Sequence, residues 1–466
     1  MISLLAAAVL SFGGTCTDSL CNPRSLDPFF AKLARQGPGV GGRPVHILQI
    51  GDSHTAGDSI SGAWRDLLQR RYGAGGRGVL PPGRPYDGYV THGSTEAMSS
   101  GWSIAADFGK AWTSPSPPLG LSAFSATSIQ DGATMSISAD PGEMFDRFTV
   151  CAIAKPGAGS LQLRAGTDTV IFSLGSVTER PQCRTMHLTQ PASSADVTTS
   201  DGPVTITSWA TFRDTGGVAL SNLGVVGSQL MHFSRTDDAV LSEELHAYQP
   251  DLIVIAFGTN EGFGPRFSAF EYETILRTQI GRIRRLAGNV PILLLGAPDA
   301  LSRRAEMRSN GLGDVSADCP PLGASPTPSA PAAAPPQGVI AGIMDRLRAS
   351  IGMTGDDATP APAAQPPLVV PPPVAAAPTT SPPVVRPGLF PPAALKAVRD
   401  VQRRVAGQLN VAFWDWEARM GGRCAANDWV HRTPALMRGD YVHYTTTGGQ
   451  EIAQRLQADL DRAAAR

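Results

Sequence analysis

The hydrophobic pattern of the chain contains four short apolar runs of the kind that fill buried strands: residues 45–50 (VHILQI), 252–257 (LIVIAF), 291–295 (PILLL) and 411–414 (VAFW). None shows the sustained polar alternation expected of a strand with one wet face. Between them apolar positions recur at helical spacing. They do so over residues 60–68 behind the first run, at Tyr272, Leu276, Ile283 and Ala287 between the second and third, and over 395–405 before the last. Strands alternating with helices predict an α/β fold, a parallel sheet covered on both faces.

This alternation is interrupted twice. Roughly 200 residues separate the first run from the second, where a βαβ unit needs about 30. Within that interval residues 89–216 turn to Ser, Thr and Gly, with short apolar segments at 135–137, 148–153, 161–163, 170–172 and 204–209. Short strands at close spacing predict an all-β sandwich or jelly roll, with the α/β pattern resuming near Val218. The second interruption, residues 318–392, is dominated by Pro and Ala. It predicts a flexible, partly polyproline-like insertion with a short helix over 339–351.

A length of 466 residues suits two folded units or one with large insertions. Lys plus Arg number 39 against 40 for Asp plus Glu, so charge makes no case for nucleic acid or an anionic membrane surface as partner. The apolar residues 1–12, followed by small ones, read as an export signal although no Lys or Arg precedes them, and this predicts a secreted or periplasmic protein. No later run approaches the roughly 20 apolar residues of a membrane span. Six cysteines suit an oxidising compartment. Proximity suggests Cys16 with Cys21 and Cys151 with Cys183, leaving Cys319 with Cys424, among the many connectivities that are possible. None has metal-ligand spacing, and no cofactor is expected.

Gly51-Asp52-Ser53 falls at the carboxyl end of the first predicted strand, where α/β folds place their ligands. A serine there can project its hydroxyl while the next helix offers backbone N–H groups to an oxyanion. The same residue could equally be a helix N-cap, so the tripeptide alone decides nothing. Asp52 reads as a loop-stabilising acceptor. Asn222-Leu-Gly-Val-Val-Gly227 follows a plausible second strand, and Gly258-Thr-Asn260-Glu261 follows the third, which puts both at the same sheet edge as Ser53. Asp440-Tyr-Val-His443 precedes Thr447-Gly-Gly-Gln450, a capping-box pattern that predicts a final helix over 451–460 and leaves Asp440 and His443 in a loop. From that spacing Asp440 can reach His443 Nδ1, freeing Nε2 to accept the Ser53 proton.

In this order the four segments resemble the sequence blocks of the SGNH (GDSL-type) hydrolases. The resemblance implies a three-layer αβα, flavodoxin-like fold, with Ser53 as nucleophile, Asp440 and His443 completing the triad, and Ser53, Gly227 and Asn260 forming the oxyanion hole. Gly224 lies in the same block as Gly227, and the choice of Gly227 rests on its five-residue step from Asn222. Within the superfamily the likeness is closest to bacterial peptidoglycan O-acetylesterases, through GDSHTAGD at 51–58, GTNE at 258–261, FWDW at 413–416 and MGG at 420–422. Those enzymes carry a β-rich module, similar to a family 35 carbohydrate-binding module, between the first two blocks, where residues 89–216 fall here. The Pro-rich stretch has no counterpart in that pattern.

The resemblance implies an esterase that removes O-acetyl groups from a cell-wall glycan, peptidoglycan foremost, through an acetyl-Ser53 intermediate and without a metal. A polysaccharide O-acetyltransferase using the same triad and a catalytically silent cell-wall-binding protein are the alternatives. The implied division is an N-terminal signal segment (1–22), catalytic parts at 23–88, 217–317 and 393–466, the β module at 89–216 and the Pro/Ala-rich insertion at 318–392.

Overall fold

The computed structural model describes residues 16–302, 319 and 389–466. The expected export signal, the helix at 339–351 and nearly all of the Pro-rich insertion lie outside the described residues. All four apolar runs form strands, buried along their whole length: Val45–Gly51, Leu252–Ala256, Ile292–Leu295 and Ala412–Trp414. They belong to a seven-stranded sheet in the order Cys16–Thr17, Leu20–Cys21, Ala412–Trp414, Ile292–Leu295, Leu252–Ala256, Val45–Gly51, Val218–Gly224. The last five of these run parallel, and the N-terminal hairpin adds an antiparallel edge.

Successive strand residues face opposite sides, and the sheet divides its apolar side chains accordingly. Leu48 and Ile50 pack with Leu241, Leu276 and Val401, which come from helices Asp238–Tyr248, Ala269–Ala287 and Leu395–Gln408. Val45 and Ile47 pack with Phe29, Trp64 and Leu456, from helices Asp27–Leu33, Ser59–Tyr72 and Thr446–Ala464. The result is helix, sheet, helix. From Val45–Gly51 the chain adds its next parallel strand, Val218–Gly224, on one side and all later ones on the other. That reversal opens a crevice at the carboxyl end of Val45–Gly51, the place where such sheets bind ligands.

Two antiparallel sheets lie between the first two parallel strands. One runs Asp168–Ser173, Ser160–Ala165, Ser194–Ser200, Thr134–Ala139, Ser94–Met98, and the other Arg180–Ala192, Phe145–Ala154, Val204–Phe212, Phe124–Ser128, Trp102–Ala106. Met135, Leu161 and Val197 from the first share a core with Phe148, Ile206 and Trp209 from the second. All five short segments expected here are strands. Ser194–Ser200 and Arg180–Ala192 escape a search for apolar runs because they are polar along much of their length, the former burying only alternate residues.

This β region is seated on the α/β sheet rather than merely tethered to it. Its ends meet: Val218 N–H donates to Gly73 O and Gly75 N–H to Val218 O, both at 3.0 Å. Gly78–Leu80 pairs with Val204–Phe212, so the antiparallel pairing begins before residue 89. Ala210 and Phe212 then pack in the same cluster as Leu48 and Ile50. Disulfides join Cys16 to Cys21, Cys151 to Cys183 and Cys319 to Cys424. Among the described residues no helix is long and apolar enough to cross a membrane.

Candidate active site

Gly51 ends the first parallel strand, and only a residue without a side chain fits: a Cβ there would stand 2.6 Å from Ala256 O and 2.2 Å from Thr55 Oγ1. The chain then turns at once into a single helical turn, Ser53–Ala56, where a loop leading to a later helix was expected. Asp52 is its N-cap, with Oδ1 accepting the His54 N–H at 3.0 Å. The capping role therefore falls to Asp52 and not to Ser53. The serine hydroxyl stands 2.9 Å from His443 Nε2.

His443 Nδ1 lies 2.8 Å from Asp440 Oδ2, while Asp440 Oδ1 accepts the Val442 and His443 N–H groups at 3.0 Å each. Burial works against the Asp440 charge, yet the His443 bond and these backbone donors hold its carboxyl well below the usual carboxylate range. At His443 burial prevails over the pull of Asp440 and lowers the imidazole below its ordinary value, with His54 adding to the effect. A neutral imidazole at neutral pH follows, oriented to take a proton at Nε2.

The loop bearing His443 is held from behind by His54, which the sequence reading quoted only as part of a longer likeness. Its Nε2 is 2.9 Å from Val442 O and its Nδ1 3.3 Å from Asp52 Oδ1. The ring sits edge-on to Trp416 and Tyr444 and 5.5 Å from the His443 ring. Burial opposes charge on His54, but the Asp52 hydrogen bond and charge, helped by the Val442 carbonyl, raise its pKa. The final helix starts at Thr446, earlier than expected, because Thr445 Oγ1 caps the Gly448 N–H at 3.1 Å.

On the other flank, strand Val218–Gly224 runs through Asn222, which therefore lies inside the second strand and not beyond it. Its Nδ2 donates to Thr55 O at 3.1 Å and its Oδ1 accepts from Arg77, fastening the Ser53 turn to the sheet. Gly224 has a packing reason of its own: a Cβ there would sit 2.2 Å from Ala56 N and 2.7 Å from Asp52 O. Gly227, in the turn that follows, has a φ of 78°. Asn260 lies in the one-turn helix Thr259–Gly262, and its Nδ2 donates to Ser228 O at 2.9 Å. Gln229 Nε2 donates to Asn260 O at 3.1 Å, and the Leu230 N–H to Glu261 Oε1 at 2.7 Å. Three hydrogen bonds thus stitch the Gly227 loop to the Asn260 turn.

Two buried carboxyls brace these segments. Asp58 accepts from Arg65 at 2.9 Å, Arg77 at 3.3 Å, Ser61 Oγ at 2.7 Å and the His92 N–H at 2.9 Å. Burial opposes its charge, but the two guanidinium groups hold it well below the usual range. Among the described residues Glu261 meets no such cation and its Oε2 has no hydrogen-bond partner, and burial pushes its pKa up to about 7. The cleft over Ser53 is lined by His443, Tyr444 and Arg438 on one side and by Tyr86, His92 and Val226 on the other.

By sequence the chain matches no protein-family model and no curated protein. In three dimensions it is similar to a solved structure described as "Peptidoglycan O-acetylesterase in action, 5 min", with a TM-score of 0.65 and 22% identity over 96% of this chain and 99% of that one. A putative GDSL-like lipase from Parabacteroides merdae matches with a TM-score of 0.27 at 13% identity, over 53% of this chain and 73% of that one. An acetyl xylan esterase matches with a TM-score of 0.27 at 12% identity, over 52% of this chain and 80% of that one. The first likeness shows a shared fold, and at that level it bears out the resemblance read from the sequence blocks.

Proposed function

We propose that this chain is a serine esterase that removes O-acetyl groups from a cell-wall polysaccharide, O-acetylated peptidoglycan foremost. The observation that carries the reading is the hydrogen-bonded run Ser53 Oγ, His443 Nε2, His443 Nδ1, Asp440 Oδ2, set at the point where the parallel sheet reverses its strand order. In the proposed mechanism Ser53 Oγ attacks the acetyl carbonyl as its proton passes to His443 Nε2. The tetrahedral intermediate then collapses: the sugar oxygen leaves with that proton, and acetyl stays on Ser53. Water, deprotonated by His443, releases acetate and restores the serine. Asp440 fixes the tautomer and stabilises the imidazolium between the two proton transfers.

The oxyanion would face the Ser53 and Gly227 backbone N–H groups and the Asn260 amide, which has a second N–H besides the one given to Ser228 O. Support for the glycan comes from the fold shared with a peptidoglycan O-acetylesterase and from the antiparallel β region between the first two parallel strands, where the sequence resemblance implies a carbohydrate-binding module. In this reading residues 89–216 form a carbohydrate-binding module within a catalytic domain made of 23–88, 217–317 and 393–466. Export past the inner membrane agrees with the three disulfides.

The test is acetate release from O-acetylated peptidoglycan and, in parallel, from O-acetylated xylan. Acetate is expected from the first, and none from either with the Ser53→Ala protein. Undiminished release by that variant would remove Ser53 from the chemistry. Acetyl groups appearing on an added glycan in place of free acetate would make the protein a transferase.

A further inference from the structure

The cleft over Ser53 does not end at the triad. Tyr86 and Val226 line it and also line a second groove, bounded largely by the β region. Val226 stands next to Gly227, so the loop placed in the oxyanion hole is also the sill between the two hollows. The second groove is lined by Trp102, Phe108 and Phe124 and by the exposed Arg84 and Lys110.

The rings are held in fixed orientations. Trp102 Nε1 donates to Thr134 O at 3.1 Å, Phe108 stacks on His232 with ring centroids 4.4 Å apart, and Tyr86 leans on Phe124 and Tyr89. Rigid aromatic faces beside hydrogen-bonding side chains suit a pyranose ring, whose C–H face packs on an aromatic while its hydroxyls meet polar groups at the edge. Arginine 235 adds a tie between the regions: its guanidinium donates to Asp107 O, next to Phe108.

We infer that this groove is a sugar-binding subsite for the part of the glycan chain next to the acetylated residue. The β region then forms one wall of the substrate cleft instead of a detached anchor. This inference rests on the esterase reading for its ligand class, and its experiment separates the two. The Ser53→Ala protein is titrated with a de-O-acetylated peptidoglycan glycan fragment, and the same substitutions are assayed in the active protein on O-acetylated peptidoglycan and on p-nitrophenyl acetate.

In Phe108→Ala and Trp102→Ala the Kd for the fragment is expected to rise about tenfold. The ratio of polymer to p-nitrophenyl acetate kcat/KM is expected to fall by a similar factor, and Trp102→Phe, which keeps a ring, should recover most of the loss. Unchanged Kd and unchanged ratio in both alanine variants would overturn the subsite while leaving the esterase intact. Fragment binding that depends on these rings, without acetate release by the active protein, would overturn the esterase while leaving the subsite. No fragment binding, with acetate still released by the active protein, would likewise overturn the subsite and leave the esterase.

Discussion

Two buried carboxyl groups brace the flanks of the Ser53 site, and they do similar mechanical work with opposite electrostatics. Asp58 braces the turn that carries the serine and meets two guanidinium groups, whereas Glu261 braces the Gly227 loop through one backbone N–H and meets no cation. The first is held well below the usual carboxylate range and the second is pushed up to about 7. Their contributions to stability therefore run in opposite directions with pH. The Asp58 contribution is present above its unfolded value near 3.8 and is lost on acidification below it. The Glu261 contribution is present below about 4.5 and is lost as pH rises to about 7. At pH 7 the Asp58 contribution is present in full and that of Glu261 is largely lost.

Both flanks serve one hydroxyl, and the largest expected effects test that convergence. Ser53→Ala and His443→Ala should each lower kcat for acetate release roughly 10,000-fold or more, with far-UV circular dichroism unchanged; a small loss in either would separate the flanks from the chemistry. Next, Asn260→Ala should lower kcat about 100-fold to 1,000-fold. A change confined to KM would mean that the Glu261 flank holds substrate and not the oxyanion.

Asp58→Asn leaves Arg65 and Arg77 buried without their counter-charge and should destabilise the fold by about 3–5 kcal/mol, read from urea unfolding at pH 7. Glu261→Gln is the mildest. It removes the ionisation, so the fall in stability of up to about 3 kcal/mol that this carboxyl causes between pH 4.5 and 7 should be absent from the variant and should appear in full in the wild-type minus variant difference. A difference that stays flat across that window would show that Glu261 is not strained by its burial.

How much of this could be read in the sequence follows the same division. The parallel sheet was legible because a strand covered on both faces must be apolar at nearly every position, which makes runs such as LIVIAF unmistakable. The spacing of Asp440 and His443 was legible because a three-residue step in a loop suffices for the contact seen at 2.8 Å. The bracing groups were not. His54, Asp58 and Glu261 stand within the quoted motifs, but their partners Val442, Arg77 and Leu230 are distant in sequence and come near only through the fold. The place of Asn222 inside its strand is hidden from the sequence for a related reason. A buried Asn inside a strand needs a hidden partner, and Arg77 lies across the sheet edge where no local pattern reveals it.

The meeting of Gly73, Gly75 and Val218 has a kinetic meaning. Strand Val218–Gly224 docks beside Val45–Gly51 across a very long stretch of chain, because the whole β region lies between them. Lengthening a closed loop adds little to its entropy, since each doubling costs only about 0.6 kcal/mol, but contacts this far apart in sequence form slowly. Pairing of these two strands is therefore expected to be slow, and the turn bearing Gly227 is placed by it. The site over Ser53, which needs that turn, is thus expected to be completed late in folding.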